Sequence, residues 1–129
     1  MDTSALVAVA LEEPESVACT EVLTGAAHLA ISAGTFAEAM ILSGRRGFSR
    51  DMKTLIDGLA LEIVPVDANF AEEVADAYAQ WGKGVHPARL NFGDCFAYAL
   101  AQRRNCPLLF VGRDFAQTDV RRALDAPAP

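Results

Sequence analysis

Residues 91–112, NFGDCFAYALAQRRNCPLLFVG, place a helix directly before a strand and so decide the fold class. Asn91 to Asn105 reads as one helix. PLLFVG, bounded by Pro107 and Gly112, is apolar at every position between its ends. A strand of that kind has no solvent face, so it belongs to a parallel sheet covered on both sides. One residue resists this reading. Asp94 interrupts a nearly unbroken run of apolar and small residues from Leu90 to Ala101, and a carboxylate there needs a physical reason.

Outward from this stretch, the alternation continues. Asp2 is placed to cap a helix from Thr3 to Glu12, and Pro14 to open a second one through about Ala26. HLAIS reads as a short buried strand. AGTFAEAMILSG and SRDMKTLIDGLA read as two further helices, the latter with Ser49 as its cap. LEIVPV is short and β-branched, hence a strand. Asp67 then caps a helix in which Phe70, Val74, Tyr78 and Trp81 share one face, and Gly82 stops it. The expected architecture is a three-layer α/β/α domain with a central, mostly parallel sheet. It spans residues 1–126 as a single domain, with 127–129 as a frayed tail.

The chain has 129 residues, enough for one core and too few for two. No apolar run approaches the ~20 residues of a membrane helix, and no secretory signal pattern opens the chain, so the expected compartment is the cytoplasm. Cys19, Cys95 and Cys106 have neither disulfide nor zinc spacing and read as reduced thiols, mostly buried. The net charge of −6 argues against sequence-blind nucleic-acid binding, which relies on a basic surface. Local basic clusters persist nonetheless, among them Lys83, His86 and Arg89.

In open parallel sheets, ligands bind beyond the carboxyl ends of the strands. Four acids fall at such junctions: Asp2, Glu38, Asp94 and Asp114, with Asp119 close behind. Each has a plain structural alternative. Asp2 can be a helix cap. Asp94 can be a first-turn anion behind an Asn91 cap, Asp114 a turn residue, and Glu38 a side chain that reaches solvent past small neighbours. Taken together, converging carboxylates repel and raise one another's pKa unless a cation neutralises them. Oxygen donors of this kind suit Mg²⁺ or Mn²⁺. A bound divalent ion would also let an acidic protein hold a phosphate, which answers the objection from net charge.

DTSALVA at the start, the Glu within ISAGTFAEA, GKGVHPARLNFGDCFAYALA and PLLFVGRDFAQTDV resemble, in order and over essentially the whole chain, the PIN-domain ribonucleases of the VapC family. The resemblance implies a PIN fold, Mg²⁺-dependent cleavage of RNA, and a VapB-type antitoxin that blocks the site. Asp2, Glu38 and Asp94 match the family's first three acidic positions and Asp114 the fourth. Arg113 stands where many relatives carry Asp or Asn, so Asp119 is kept as an alternative ligand. Family members also carry a short apolar strand before the first Asp, and the expected natural start lies a few residues upstream of Met1.

On this reading Asp2, Glu38, Asp94 and Asp114, with Asp119 as the alternative, hold the metal. Thr3, Ser4 and Thr118 are candidates to orient a water, with local capping as the alternative. Arg89, Lys83 and Arg113 are candidates to steer the RNA backbone. Tyr98 reads as packing, and His28 and His86 have no catalytic partner. A homodimer is expected, with SALVAVAL and MILSG available for its interface. Two rivals remain. A phosphoacceptor receiver domain would need a pair of adjacent acids after its first strand and a Lys after PLLFVG, and both are missing. A degenerate PIN domain that only binds a partner is the stronger alternative.

Overall fold

The structure is a computed structural model that describes residues 1–125; the expected tail at 127–129 lies outside the described residues. In chain order the elements are α1 (Thr3–Ala10), α2 (Ser16–Gly25), β1 (Ala30–Ser32), α3 (Ala33–Arg46), α4 (Ser49–Gly58), β2 (Glu62–Val64), α5 (Ala68–Trp81) and α6 (Phe92–Arg104). A 3₁₀ turn follows at Ala123–Asp125. β1 and β2 pair in parallel, Ala30 opposite Glu62 and Ser32 opposite Val64. The connection required between parallel strands is made by α3 and α4.

Two apolar cores lie on opposite faces of this layer. Met1, Leu6, Cys19, Ile31, Met52, Ile56 and Leu109 pack with α1 to α4. Phe70, Val74, Leu90, Tyr98, Leu108, Phe110 and Phe115 pack with α5 and α6. Along PLLFVG the side chains alternate, Leu108 and Phe110 into the second core, Leu109 and Val111 into the first. This is strand periodicity, and it explains why every position is apolar.

PLLFVG nevertheless does not form a full strand. Its ladder contacts are a single bridge to Arg122, with Leu108 N donating to the Arg121 carbonyl, and one bond from Asp2 N to the Leu109 carbonyl at 2.9 Å. The reason is its neighbour. Met1 and Asp2 occupy the slot between Leu109 and Ala30, and the chain turns helical at Thr3, so no ladder can extend. The Met1 amine itself donates to the Ala30 carbonyl at 3.2 Å, and burial pushes its pKa below the ordinary value.

Several expected boundaries also move. α1 ends at Ala10, and α2 begins at Ser16, with Pro14 in the turn before it. Ser49 is the first residue of α4, and Phe48 occupies the cap position. Asp67 caps α5 as expected, accepting from Phe70 N at 2.8 Å. The buried face of α5 is Phe70, Val74 and Ala77, whereas Tyr78 is 40% exposed and donates its hydroxyl to the Lys83 carbonyl. Cys19 and Cys95 are buried and Cys106 is exposed.

Candidate active site

Three of the four junction acids owe their placement to the first turn or the opening half of a helix. Asp2 caps α1, its Oδ2 accepting from Ser4 N at 3.1 Å and from Ser4 Oγ at 2.6 Å. Ser4 Oγ in turn accepts from Val111 N at 3.0 Å, which ties the start of α1 to the end of PLLFVG. Asp94 and Asn91 form a capping box at the start of α6, Asp94 Oδ2 accepting from Asn91 N at 3.0 Å and Asn91 Oδ1 accepting from Asp94 N at 2.8 Å. The capping alternative for both acids is therefore correct. It occupies only one oxygen of each, and Asp2 Oδ1 is buried with no hydrogen-bond partner among the described residues. An orphaned buried carboxylate oxygen is costly unless a water or a cation fills its lone pairs.

Glu38 reaches this corner from α3. Its Oε1 accepts from Thr3 Oγ1 at 2.5 Å, and its carboxylate lies directly against Gly93 in the first turn of α6. Any Cβ at position 93 would run into that carboxylate. A second glycine, Gly34, gives the Phe96 ring room in the same way, so the faces 34/38 of α3 and 93/96 of α6 fit together antiparallel.

The four acids lie near enough to act on one another's charge. Burial pushes Asp94 up to about 7, and the charges of Asp2, Asp114 and Glu38 add to it against the Asn91 backbone bond. Glu38 is raised first by burial and then by Asp2 and Asp114, although the Thr3 hydroxyl opposes the shift. Asp2 is raised by burial against its two bonds from Ser4. Asp114 is exposed and contributes its charge from the chain after PLLFVG.

Other candidates fall elsewhere. Asp119 is not part of the corner: its Oδ1 accepts from Tyr98 Oη at 2.6 Å and from Gln102 Nε2 at 3.0 Å. It lines a depression of about 400 Å³ between α5 and α6 that includes none of the four acids. Thr118 caps its own turn, donating to the Phe115 carbonyl at 2.8 Å. The chain turns sharply after Asp114, Ala116 N donating to the Arg113 carbonyl and Thr118 N to the Phe115 carbonyl, which carries Asp119 to α6 and leaves Thr118 in the local cap that was its alternative. Thr3 and Ser4 do touch the acids. Lys83 and Arg89 line a shallow depression with His86, and Arg113 is exposed beside Asp114. Tyr98 is buried, between Trp81 Nε1 and Asp119, as a packing residue. His28 pairs with Glu62. Within SALVAVAL, Ala5 to Ala8 are core, and of the two stretches offered for a dimer interface Ile41 and Leu11 are the large apolar residues left exposed, at 63% and 36%.

Gly93 was not singled out in the sequence. The signal was a glycine in the first turn of a helix next to an acid, a position where a helix former would otherwise be favoured.

Comparison with known proteins decides the family. The PIN domain family matches residues 1–121. The chain belongs to the PIN-domain family, among the VapC ribonucleases. Ribonuclease VapC28 of Mycobacterium tuberculosis and VapC ribonuclease Mb0625 of Mycobacterium bovis are each 40% identical to it over 97% of both chains. Ribonuclease VapC42 of M. tuberculosis is 40% identical over 95% of this chain. Among solved structures, M. tuberculosis VapC20, a Sarcin-Ricin loop cleaving toxin, superposes with a TM-score of 0.73 at 15% identity, over 92% of this chain and 93% of its own. A toxin–antitoxin complex from Klebsiella pneumoniae gives 0.65 at 19% identity, over 92% and 90%. These two superpositions carry the PIN fold.

The residues of this VapC-family chain fit a hard divalent cation in chemistry. The donors are carboxylate oxygens, one of them is orphaned, and burial raises the pKa of Asp2, Glu38 and Asp94, with like charge adding to it at Glu38 and Asp94. They are not yet gathered as ligands. Among the described residues, no three acidic, His or Cys side chains stand close enough to hold an ion as they are. Also among the described residues, no helix is long and apolar enough to cross a membrane.

Proposed function

We propose that this protein is a divalent-metal-dependent endoribonuclease toxin of the cytoplasm, restrained by a cognate VapB-type antitoxin. The observation that carries the reading is the convergence of Asp2, Glu38, Asp94 and Asp114 without a balancing cation. Such an arrangement is destabilising for the free fold, and carboxylates perturbed in this way mark functional sites. Mg²⁺, or Mn²⁺ in its place, would be held by these four acids and would supply the charge and the water activation that phosphodiester hydrolysis needs.

The chain's own residues do the positioning. Ser4 Oγ holds Asp2 Oδ2 and Thr3 Oγ1 holds Glu38 Oε1, so each carboxylate keeps one oxygen directed by protein and one available. The Asn91 box holds Asp94 at the head of α6, where the helix dipole favours its negative form against burial. Lys83, Arg89 and Arg113 make no salt bridge among the described residues, which leaves them to attract a phosphate backbone. The names of the relatives at 40% identity support ribonuclease activity, and the Klebsiella complex supports an antitoxin partner. We also expect a homodimer that covers the exposed Ile41 of α3.

The test is cleavage of a panel of transfer, ribosomal and unstructured RNA by this chain and by Asp94→Asn, with Mg²⁺ or with EDTA. Discrete cuts that need metal, reduced by roughly 100-fold or more in the variant, are the expected result. A folded protein that binds neither Mg²⁺ nor Mn²⁺ and cuts nothing would instead be a partner-binding PIN domain.

A further inference from the structure

Phe92 is the most exposed large apolar residue described, at 72%, and it stands at the first position of α6, two residues before Asp94. Its ring is not loose. It meets Phe96 edge-to-face at 4.9 Å between centroids and 88° between planes, and Phe96 is seated against Gly34 of α3. The next residue, Gly93, carries the Glu38 carboxylate against it. A rigid aromatic face is thus held at the lip of the acidic corner. The other well-exposed apolar side chains, Val17, Ile41 and Val85, are aliphatic and present no such plane.

The chain leading into Phe92 is basic and held in place. Lys83 N donates to the Leu90 carbonyl at 2.9 Å and Leu90 N to the Trp81 carbonyl at 3.0 Å, which clamps the loop that carries Lys83 and Arg89 next to α6. A single-stranded nucleic acid needs what this arrangement offers, cations along its backbone and an aromatic face for a base. An acidic or purely apolar partner would use only one of the two.

We propose that Phe92 is a stacking platform for a base of single-stranded RNA, a substrate-positioning residue that sets a neighbouring phosphate at the acidic corner. This rests on the nuclease reading for its purpose, though the stacking itself can be measured without cleavage. Phe92 is solvent-exposed, so replacing it leaves the core intact.

The experiment compares Phe92→Ala and Phe92→Trp, each in the Asp94→Asn background so that RNA stays whole, by anisotropy of a short labelled single-stranded RNA with Mg²⁺ present. Circular dichroism checks the fold. Phe92→Ala should bind roughly 5- to 100-fold more weakly, the range for one stacked base. Phe92→Trp should bind at least as well as the parent, with its added indole emission quenched by RNA. An RNA of the same length made of abasic nucleotides should remove the difference between Phe92 and Phe92→Ala. Equal binding of intact RNA by Phe92 and Phe92→Ala, within about twofold, overturns the proposal. So does a Phe92→Ala chain that keeps its RNA affinity and loses affinity for the VapB-type antitoxin, which would make the ring a protein contact. The nuclease reading is judged separately, by cleavage of the RNA panel, and either can fail alone.

Discussion

The two ends of the sheet treat carboxylates in opposite ways, and α6 runs between them. At the carboxyl end, Asp94 in its first turn meets Asp2, Glu38 and Asp114, and is pushed up to about 7, chiefly by burial. At the amino end, Arg104 in its last turn grips Glu62 with two bonds, at 2.9 and 2.7 Å, and His28 adds a third at 2.7 Å. Glu62 is held down at about 2, its bond from Arg104 being the largest cause. The amino end is complete with protein groups alone. At the carboxyl end no Lys, Arg or His pairs with the acids among the described residues, and this asymmetry separates a structural ion cluster from a candidate site.

The comparison can be broken most directly through pH. Asp94 has its folded pKa raised from 3.8 to about 7, so the fold prefers the protonated acid. That preference favours the metal-free fold fully below the unfolded value and is lost as pH climbs towards the folded one. The ceiling is on the order of 4 kcal/mol for the whole window. Thermal melts in EDTA should show lower stability at pH 8 than at pH 5, and Mg²⁺ or Mn²⁺ should recover the loss. Melts insensitive to both pH and metal would remove the asymmetry.

A sharper probe is Gly93→Ala. The added Cβ meets the far end of Glu38, which can swing aside, so the fold should survive while the carboxylate is displaced. RNA cleavage should fall about 10- to 100-fold with a melting temperature close to the parent's. Unchanged cleavage would mean that Glu38 does not need its place against α6.

Thr3→Val removes the hydroxyl that holds Glu38 Oε1. The expected cost is roughly 1–2 kcal/mol of stability by denaturant titration, with a rise in the Mg²⁺ concentration needed for cleavage. A change confined to the loss of stability would make Thr3 structural only.

The smallest effect belongs to the amino end. Arg104→Gln breaks an exposed pair with Glu62, and such pairs contribute little. Cleavage should be unchanged and the melting temperature nearly so. The sign of the pH dependence is opposite to that of Asp94. With its folded pKa lowered from 4.5 to about 2, Glu62 contributes stability above the unfolded value and loses it as pH falls through the folded one. The difference between Arg104→Gln and the parent should therefore shrink as the solution is acidified towards pH 2.

Much of the architecture was legible in the residues. Asp67 announced the start of α5 and Gly82 its end, and the apolar run 107–111 announced a layer covered on both faces. These signals are local: a cap accepts from a backbone N–H three residues on, and side-chain alternation follows from extended geometry. Asp2 and Asp94 were legible as acids of helix starts, which gather at one end of a parallel sheet. Asp119 failed as their alternative for a reason of the opposite kind, since five residues beyond Asp114 a turn sends it to Tyr98 and Gln102. The same limit applied to Tyr78, whose spacing matched the apolar face of α5 while its hydroxyl went to Lys83.

By itself, then, the sequence determined the order of helices and strands and the two-sided cover of the sheet, products of contacts within a few residues. Only the tertiary structure decided that Glu38 rests on Gly93, that one oxygen of Asp2 is left orphaned, that PLLFVG finds a neighbour too short for a ladder, and that Phe92 stands free at the corner's edge. Those features depend on where helices far apart in the chain meet, and close approach between them is set by packing, which leaves no periodic mark in the sequence.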